Sequence, residues 1–219
     1  MNKQDSELAA LAERIHRASD LLEIQQLQHR YEQYLALFRC DKMLELFALD
    51  SPDVSIETAD NGVYVGCEGV KRFLDGFNQA AKAKGVLIEH FAINPVIEIA
   101  SDRNTARGTW FSPGIGSFGP AQFQNWVWGK YDCDYIRRDG SWKLWHLRWY
   151  LTFFAAYDKG WVHQQEPELN SASESSRPKP RMIGHGAPDK PSTRHKPYNP
   201  NEVNYLLPEP PQPYESWDK

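Results

Sequence analysis

Apolar residues recur along this chain at two spacings, and the spacing predicts the elements. Over residues 5–17, Leu8, Leu11, Ala12 and Ile15 fall at helical steps, giving a short amphipathic helix that packs on a neighbouring element or subunit. Ser19 and Asp20 are placed to cap a second helix, whose stripe is Ile24, Leu27, Tyr31, Tyr34, Leu35 and Phe38. Asp41 caps a third, carrying Met43, Leu44, Leu46 and Phe47. Val54, Ile56 and Thr58 then alternate as a strand, and Asp60-Asn61-Gly62 turns the chain into Tyr64 and Val65. Residues 69–83 return to helical spacing through Val70, Phe73, Leu74 and Phe77. Strands are predicted over 86–100, broken only at Pro95, and over 105–112, followed by a glycine-rich loop over 113–120.

The strongest pattern lies at 122–154, two long apolar-rich arms joined by Asp139-Gly140, a pair suited to the positive φ of a hairpin turn. Period-two alternation puts Trp142, Leu144, His146, Arg148 and Tyr150 on one face of the second arm, and Lys143, Trp145, Leu147, Trp149 and Leu151 on the other. Neither is a simple wet face, so one meets a core or partner and the other a cavity. Five of the eight tryptophans sit here, and the site is expected around them. The order of elements predicts an α+β fold, with helices across a curved antiparallel sheet and a conical space between them.

Composition changes after residue 162, where eleven of fifteen prolines fall within 167–213. Such chain builds no core of its own. It nonetheless keeps Ile183, Tyr198, Val203, Tyr205, Leu206, Leu207, Tyr214 and Trp217 as anchors, and a Pro-rich arm loses little entropy on docking, so it is expected to lie extended over its own domain or a neighbouring subunit. The expected division is a helix at 1–18, a domain at 19–162 and an arm at 163–219. A net charge of −4 offers no footprint for nucleic acid or anionic membrane. Three cysteines without paired spacing argue against disulfides and thiolate metal sites and for a reduced, cytoplasmic setting, and no leader or membrane span is expected.

Several segments together resemble the SnoaL-like branch of the nuclear transport factor 2-like superfamily: Ile24-Gln-Gln-Leu27-Gln-His-Arg30-Tyr31, Gly66-Cys-Glu-Gly69-Val-Lys-Arg-Phe73, His90-Phe-Ala-Ile-Asn94-Pro95, Trp128-Gly-Lys-Tyr131 and Asp139-Gly-Ser-Trp142-Lys-Leu144. The resemblance covers about residues 20–155. It implies a cone with a concave pocket and a convex face that often makes a dimer or trimer contact. It also implies chemistry on ring-bearing hydroxy or keto compounds without metal or organic cofactor, as in scytalone dehydratase, bile-acid 7α-dehydratase and the lyases that deformylate diarylpropanes. Those dehydratases carry an Asp shortly after the helix tyrosine. Residues 32–40 contain none, and Phe38 stands near the expected place.

His90 falls where the resemblance implies a pocket histidine, and an imidazole near neutrality moves protons either way. Tyr31 and Tyr34 lie on the helix face expected to roof the pocket, as oxyanion donors or as core. Arg148 and His146 share a strand face, where an inward Arg148 needs a carboxylate, a phenolate or a ligand oxygen. Lys130 is a base or phenolate partner if its face is concave and a rim charge if it is convex, and alternation does not choose. Phe38, Trp110, Trp128, Tyr131 and Tyr150 complete the expected substrate contacts. The histidines show no mutual metal-ligand spacing. The expected activity is a cofactor-independent lyase removing water or formaldehyde from a hydroxylated aromatic or polycyclic compound, in a homodimer or homotrimer whose arm contacts a neighbour. The alternatives are an isomerase or cyclase, or a non-catalytic binding module.

Overall fold

No glycine or proline interrupts the chain from residue 3 to 36, and in the computed structural model this whole stretch is one helix, α1 (Lys3–Ala36). The structure describes residues 3–59, 61–117, 124–163, 183–205 and 207–217. Ser19 and Asp20, expected to start a second helix, sit inside α1. The Ser19 hydroxyl bonds Glu23, and the Asp20 carboxylate reaches Arg103, Arg137 and the Trp142 indole instead of its own backbone. In this chain Leu8, Leu11 and Ile15 are exposed, while Ile24, Leu27, Tyr31 and Leu35 enter the core. The third helix, α2 (Cys40–Leu44), is also corrected: Asp41 lies in its first turn, paired with Arg39 at 2.8 Å, and makes no cap.

Strands β1 (Ser55–Thr58) and β2 (Val63–Val65) lead into α3 (Gly66–Ala80), and then come β3 (Leu87–His90), β4 (Ile93–Ile99), β5 (Thr105–Ser117), β6 (Gln124–Arg138) and β7 (Ser141–Ala156). The sheet order is β2-β1-β7-β6-β5-β3, with β4 also on β5. The α+β cone with a long central hairpin is as expected, but the sheet is mixed, because β1 runs parallel to β7. The break expected at Pro95 falls at Phe91-Ala92. Pro95 lies inside β4, at a register shift where Asn94 takes a φ of 49°. The loop expected from 113 is strand as far as Ser117, the rest lying outside the described residues. Gly114 pairs with His90, and a Cβ there would come within 2.5 Å of the Glu89 carbonyl, so glycine serves close pairing rather than a turn.

Two bulges in β7 decide which side chains face the cone. Asp134 pairs with His146 and Tyr135 with Leu144, leaving Trp145 as an extra residue, and Thr152 is extra in the same way. Trp142 and Leu144 therefore share the concave side with Leu147, Trp149 and Leu151, whereas His146, Arg148 and Tyr150 face outward. Strict alternation cannot see this reversal.

The described part of the C-terminal arm lies along its own chain. Lys190 bridges Val63, Asp189 Oδ2 accepts from the Val65 amide at 2.8 Å, and the Tyr198 amide donates to the bulged Thr152 carbonyl at 2.7 Å. The contact covers the free edge of β2. Farther on, Tyr214 accepts from the Ser101 amide, and Trp217 stands beside Trp145 at 4.6 Å between ring centroids.

Asp20, 2% exposed, joins α1 to the hairpin. Burial alone would raise its pKa, but Arg137, Arg103 and the Trp142 indole bring it below the usual carboxylate value. Asp20→Ala strands two half-buried guanidinium groups and an indole N–H. It is expected to cost about 3 kcal/mol, read from the denaturation midpoint.

Candidate functional site

The concave side of β7 and β6 supplies Trp149, Leu151, Phe154, Val127 and Tyr131, and the helices supply Tyr31, Leu35, Phe73 and Phe77. Between them lies a cavity of about 130 Å³. Its polar lining consists of Tyr31, Tyr131, His90, Thr58, Asn61 and His185, and among the described residues no Asp, Glu, Lys or Arg contributes to it.

His90 stands at the end of β3 with its ring 5.3 Å from that of Trp149, and no described residue hydrogen-bonds it. Burial pushes its pKa down to about 4, so at neutral pH it is a free base. Tyr31 and Tyr131 meet edge to face at 6.3 Å. Burial first, and Glu32 next, raise both phenols well above their ordinary value, which keeps them as hydrogen-bond donors.

Glu32 is the residue that sequence reasoning missed. It follows Tyr31 directly, at the start of the stretch where the resemblance implied an aspartate, and it is 6% exposed. Gln28 Nε2 donates to its Oε1 at 3.4 Å, while Oε2 has no hydrogen-bond partner; the Tyr131 phenol acts on the carboxyl from outside good hydrogen-bond geometry. Gln28 in turn accepts from Tyr135, whose hydroxyl takes the Trp110 indole N–H at 3.0 Å. Burial pushes the Glu32 pKa up to about 8, so the group is an un-ionised acid directly behind the pocket wall. Two polar residues four apart on an otherwise apolar helix stripe were the available signal.

A carboxyl with a raised folded-state pKa stabilises the fold below its unfolded value of about 4.5, and that stability is lost as pH rises through about 8. Glu32→Gln is therefore expected to gain about 2 kcal/mol over the parent chain at pH 9 and nothing at pH 4. Denaturant titrations at the two pH values test it.

Of the residues proposed from sequence, His90, Tyr31 and Tyr131 meet at this cavity. Trp110 is buried in the core beyond it, within the Gln28 network. Tyr34 and Phe38 pack against the core without lining the cavity, Phe38 with a φ of 51° just past the end of α1.

Arg148, His146, Lys130, Trp128 and Tyr150 are corrections: all five lie on the convex side, His146, Arg148 and Tyr150 because of the bulge at Trp145, and Trp128 and Lys130 by alternation with Val127 and Tyr131 along β6. Arg148 pairs with Asp134 at 2.8 Å and Asp132 at 3.2 Å; burial works against its charge, yet the two carboxylates raise its pKa. His146 Nδ1 is 2.9 Å from the same Asp134 oxygen. Lys130 lies over the Phe111 ring at 4.9 Å, and Trp128 stacks on Phe153. Tyr150 borders a small cleft with Arg194 and Lys196 of the arm.

A curled sheet enclosing an aromatic cavity under crossing helices defines a nuclear transport factor 2-like fold. Residues 16–148 match the SnoaL-like domain, and the chain belongs to that family. Similar solved structures include a protein of Novosphingobium aromaticivorans DSM 12444 provisionally called a scytalone dehydratase, at 18% identity over 68% of this chain and 97% of that one, with a TM-score of 0.56. Another is the hexachlorocyclohexane dehydrochlorinase LinA-type3 of Novosphingobium barchaimii LL02, at 20% identity over 67% and 95%, TM-score 0.56. At these identities the likeness establishes the fold alone. No curated protein matches the chain in sequence. Among the described residues no helix is long and apolar enough to cross a membrane, and no group of His, Cys, Asp or Glu could hold a metal ion.

Proposed function

We propose that the chain is a lyase removing water or formaldehyde from an uncharged, hydroxylated aromatic or polycyclic molecule. The observation that carries this reading is the free-base imidazole of His90, without a partner among the described residues, in an aromatic cavity that also holds two un-ionised phenols. That no described residue of the lining is charged supports a neutral, largely apolar ligand, since an ion would be desolvated there without compensation.

In a dehydration, His90 takes the proton from the carbon next to the leaving group, and the electron pair of that C–H bond becomes the new double bond. The C–O bond breaks as Tyr131 donates its proton to the departing oxygen, which leaves as water. In a deformylation of a substrate that also carries a carbonyl next to the carbon left behind, His90 takes the hydroxyl proton of the hydroxymethyl group, the C–C bond breaks and formaldehyde departs. The electron pair of that bond moves into the carbonyl, Tyr31 and Tyr131 hold the resulting enolate oxygen, and the proton on His90 returns to the carbon. Burial first, and Glu32 behind it next, keep the Tyr131 phenol neutral.

One observation favours a second reading as a ligand-binding module: among the described residues His90 has no carboxylate partner to orient it. Incubation with lignin dimers, hydroxynaphthalenes and hydroxysteroids, followed by mass spectrometry, separates the readings. Loss of the mass of water or of formaldehyde supports the lyase, an unchanged mass with a new retention time an isomerase or cyclase, and binding without conversion the module.

A further inference from the structure

Three glycines spaced seven residues apart, Gly62, Gly69 and Gly76, lie beneath one short piece of the arm, residues 184–190. A Cβ on Gly62 would stand 2.5 Å from the Pro188 ring and 2.7 Å from the Lys190 carbonyl. On Gly69 it would be 2.9 Å from the Asp189 carboxylate, though there the Tyr64 backbone is equally close. On Gly76 it would be 2.5 Å from His185 Nδ1 and 2.9 Å from its Cα. No side chain fits between domain and arm at these points, so the arm is a seated part of the structure.

The seat is also tied by polar contacts. Arg72 pairs with Asp189 at 2.7 Å and donates from Nε to the Ala187 carbonyl at 3.0 Å. The His185 ring stacks on Phe73 at 4.0 Å and 11°, with Nδ1 2.7 Å from the Phe73 carbonyl, which fixes that nitrogen as the donor. Phe73 is itself a wall of the cavity, and the wall continues onto the arm through Ile183 and His185. Both residues lie beyond the part of the chain that matches the family domain, residues 16–148.

We infer that Ile183 and His185 are specificity-determining residues, and that this arm sets which ring systems the cavity admits. The domain alone leaves the cavity open toward α3, and the arm closes that side with one branched aliphatic chain and one imidazole pinned flat against Phe73. The inference rests on reading the cavity as the ligand site but not on any reaction there. Hydrophobic pockets discriminate by about 10- to 200-fold for each methylene gained or lost, so a branched side chain at the boundary is a large lever on size.

The test uses the full chain and three uncharged probes of increasing size, phenol, 2-naphthol and 9-phenanthrol, with affinities read from quenching of tryptophan fluorescence or by calorimetry. Ile183→Ala is expected to improve 9-phenanthrol binding relative to 2-naphthol by at least about 10-fold. Ile183→Phe, which keeps the arm seated and fills space, is expected to weaken 2-naphthol by a similar factor while sparing phenol. Gly76→Ala displaces His185 from outside the cavity and is expected to shift preference in the same direction as Ile183→Ala, although the same change in an ordinary helix is harmless.

Unchanged affinity ratios in all three variants overturn the inference, as does failure of every probe to bind the parent chain. Probes that bind with the predicted ratios but are never converted count against the lyase and leave this inference standing. A turnover substrate whose size preference ignores Ile183 does the reverse.

Discussion

A chain ended after His163 is expected to lose most of its stability, falling by 5 kcal/mol or more, and to precipitate at temperatures where the full chain is folded. One reason is Glu57, which is 2% exposed on the convex side of β1. The Thr193 amide donates to its Oε1 at 2.6 Å, and the Thr193 hydroxyl lies 2.9 and 2.8 Å from its two oxygens. Without the arm Glu57 exchanges these hydrogen bonds for water, at a cost of about 1 kcal/mol each. The exposed edge of β2, the bare Phe73 ring and the uncovered Trp145 add to the cost. Set against a typical domain stability of about 5–15 kcal/mol, that loss is decisive. A shortened chain that unfolds at the same denaturant concentration as the full one would refute the account.

Replacing His90 by Ala is expected to lower kcat/KM on any converted substrate by about 10²- to 10⁴-fold, the usual contribution of a positioned general base. The parent activity should be flat with pH from about 4, where His90 is protonated, to about 8, where Glu32 ionises. His90 also leaves a mark on stability. Its folded-state pKa is depressed from 6.5, so the stability it contributes is present above that value and lost as pH falls through about 4. His90→Gln should therefore be less acid-labile than the parent as well as inactive. Activity that survives the substitution, with the acid limb unmoved, would assign proton transfer to another group.

The long-range plan was legible in the sequence wherever one physical cause dominated. Asp139 and Gly140, with φ of 49° and 79°, turn the chain between β6 and β7 as their residue types demand. The stripe of Ile24, Leu27, Tyr31 and Leu35 packs inward as its spacing requires, and the family followed from the order of such segments. The site was harder to see because two causes competed at it. Arg148 and His146 carry the chemistry expected of a pocket, yet an unpaired charge costs too much in a dry cavity, and Asp132 and Asp134 hold both side chains on the wetter face. Gly114 carried the composition of a loop but sits in a strand because a neighbouring backbone passes close by. Glu32 was passed over because a search for aspartate does not see a glutamate, although one more methylene makes a carboxyl no less acidic in kind.

The extra residue at Trp145 has a consequence for inheritance. In any relative whose final strand is one residue shorter at that point, counting along the strand exchanges inside for outside from there onward. Roles carried across by alignment would then give Arg148 to the dry chamber and Trp149 to the solvent. Whether a homologue shares this chain's chamber is therefore settled by the length of one strand before the identity of any side chain in it.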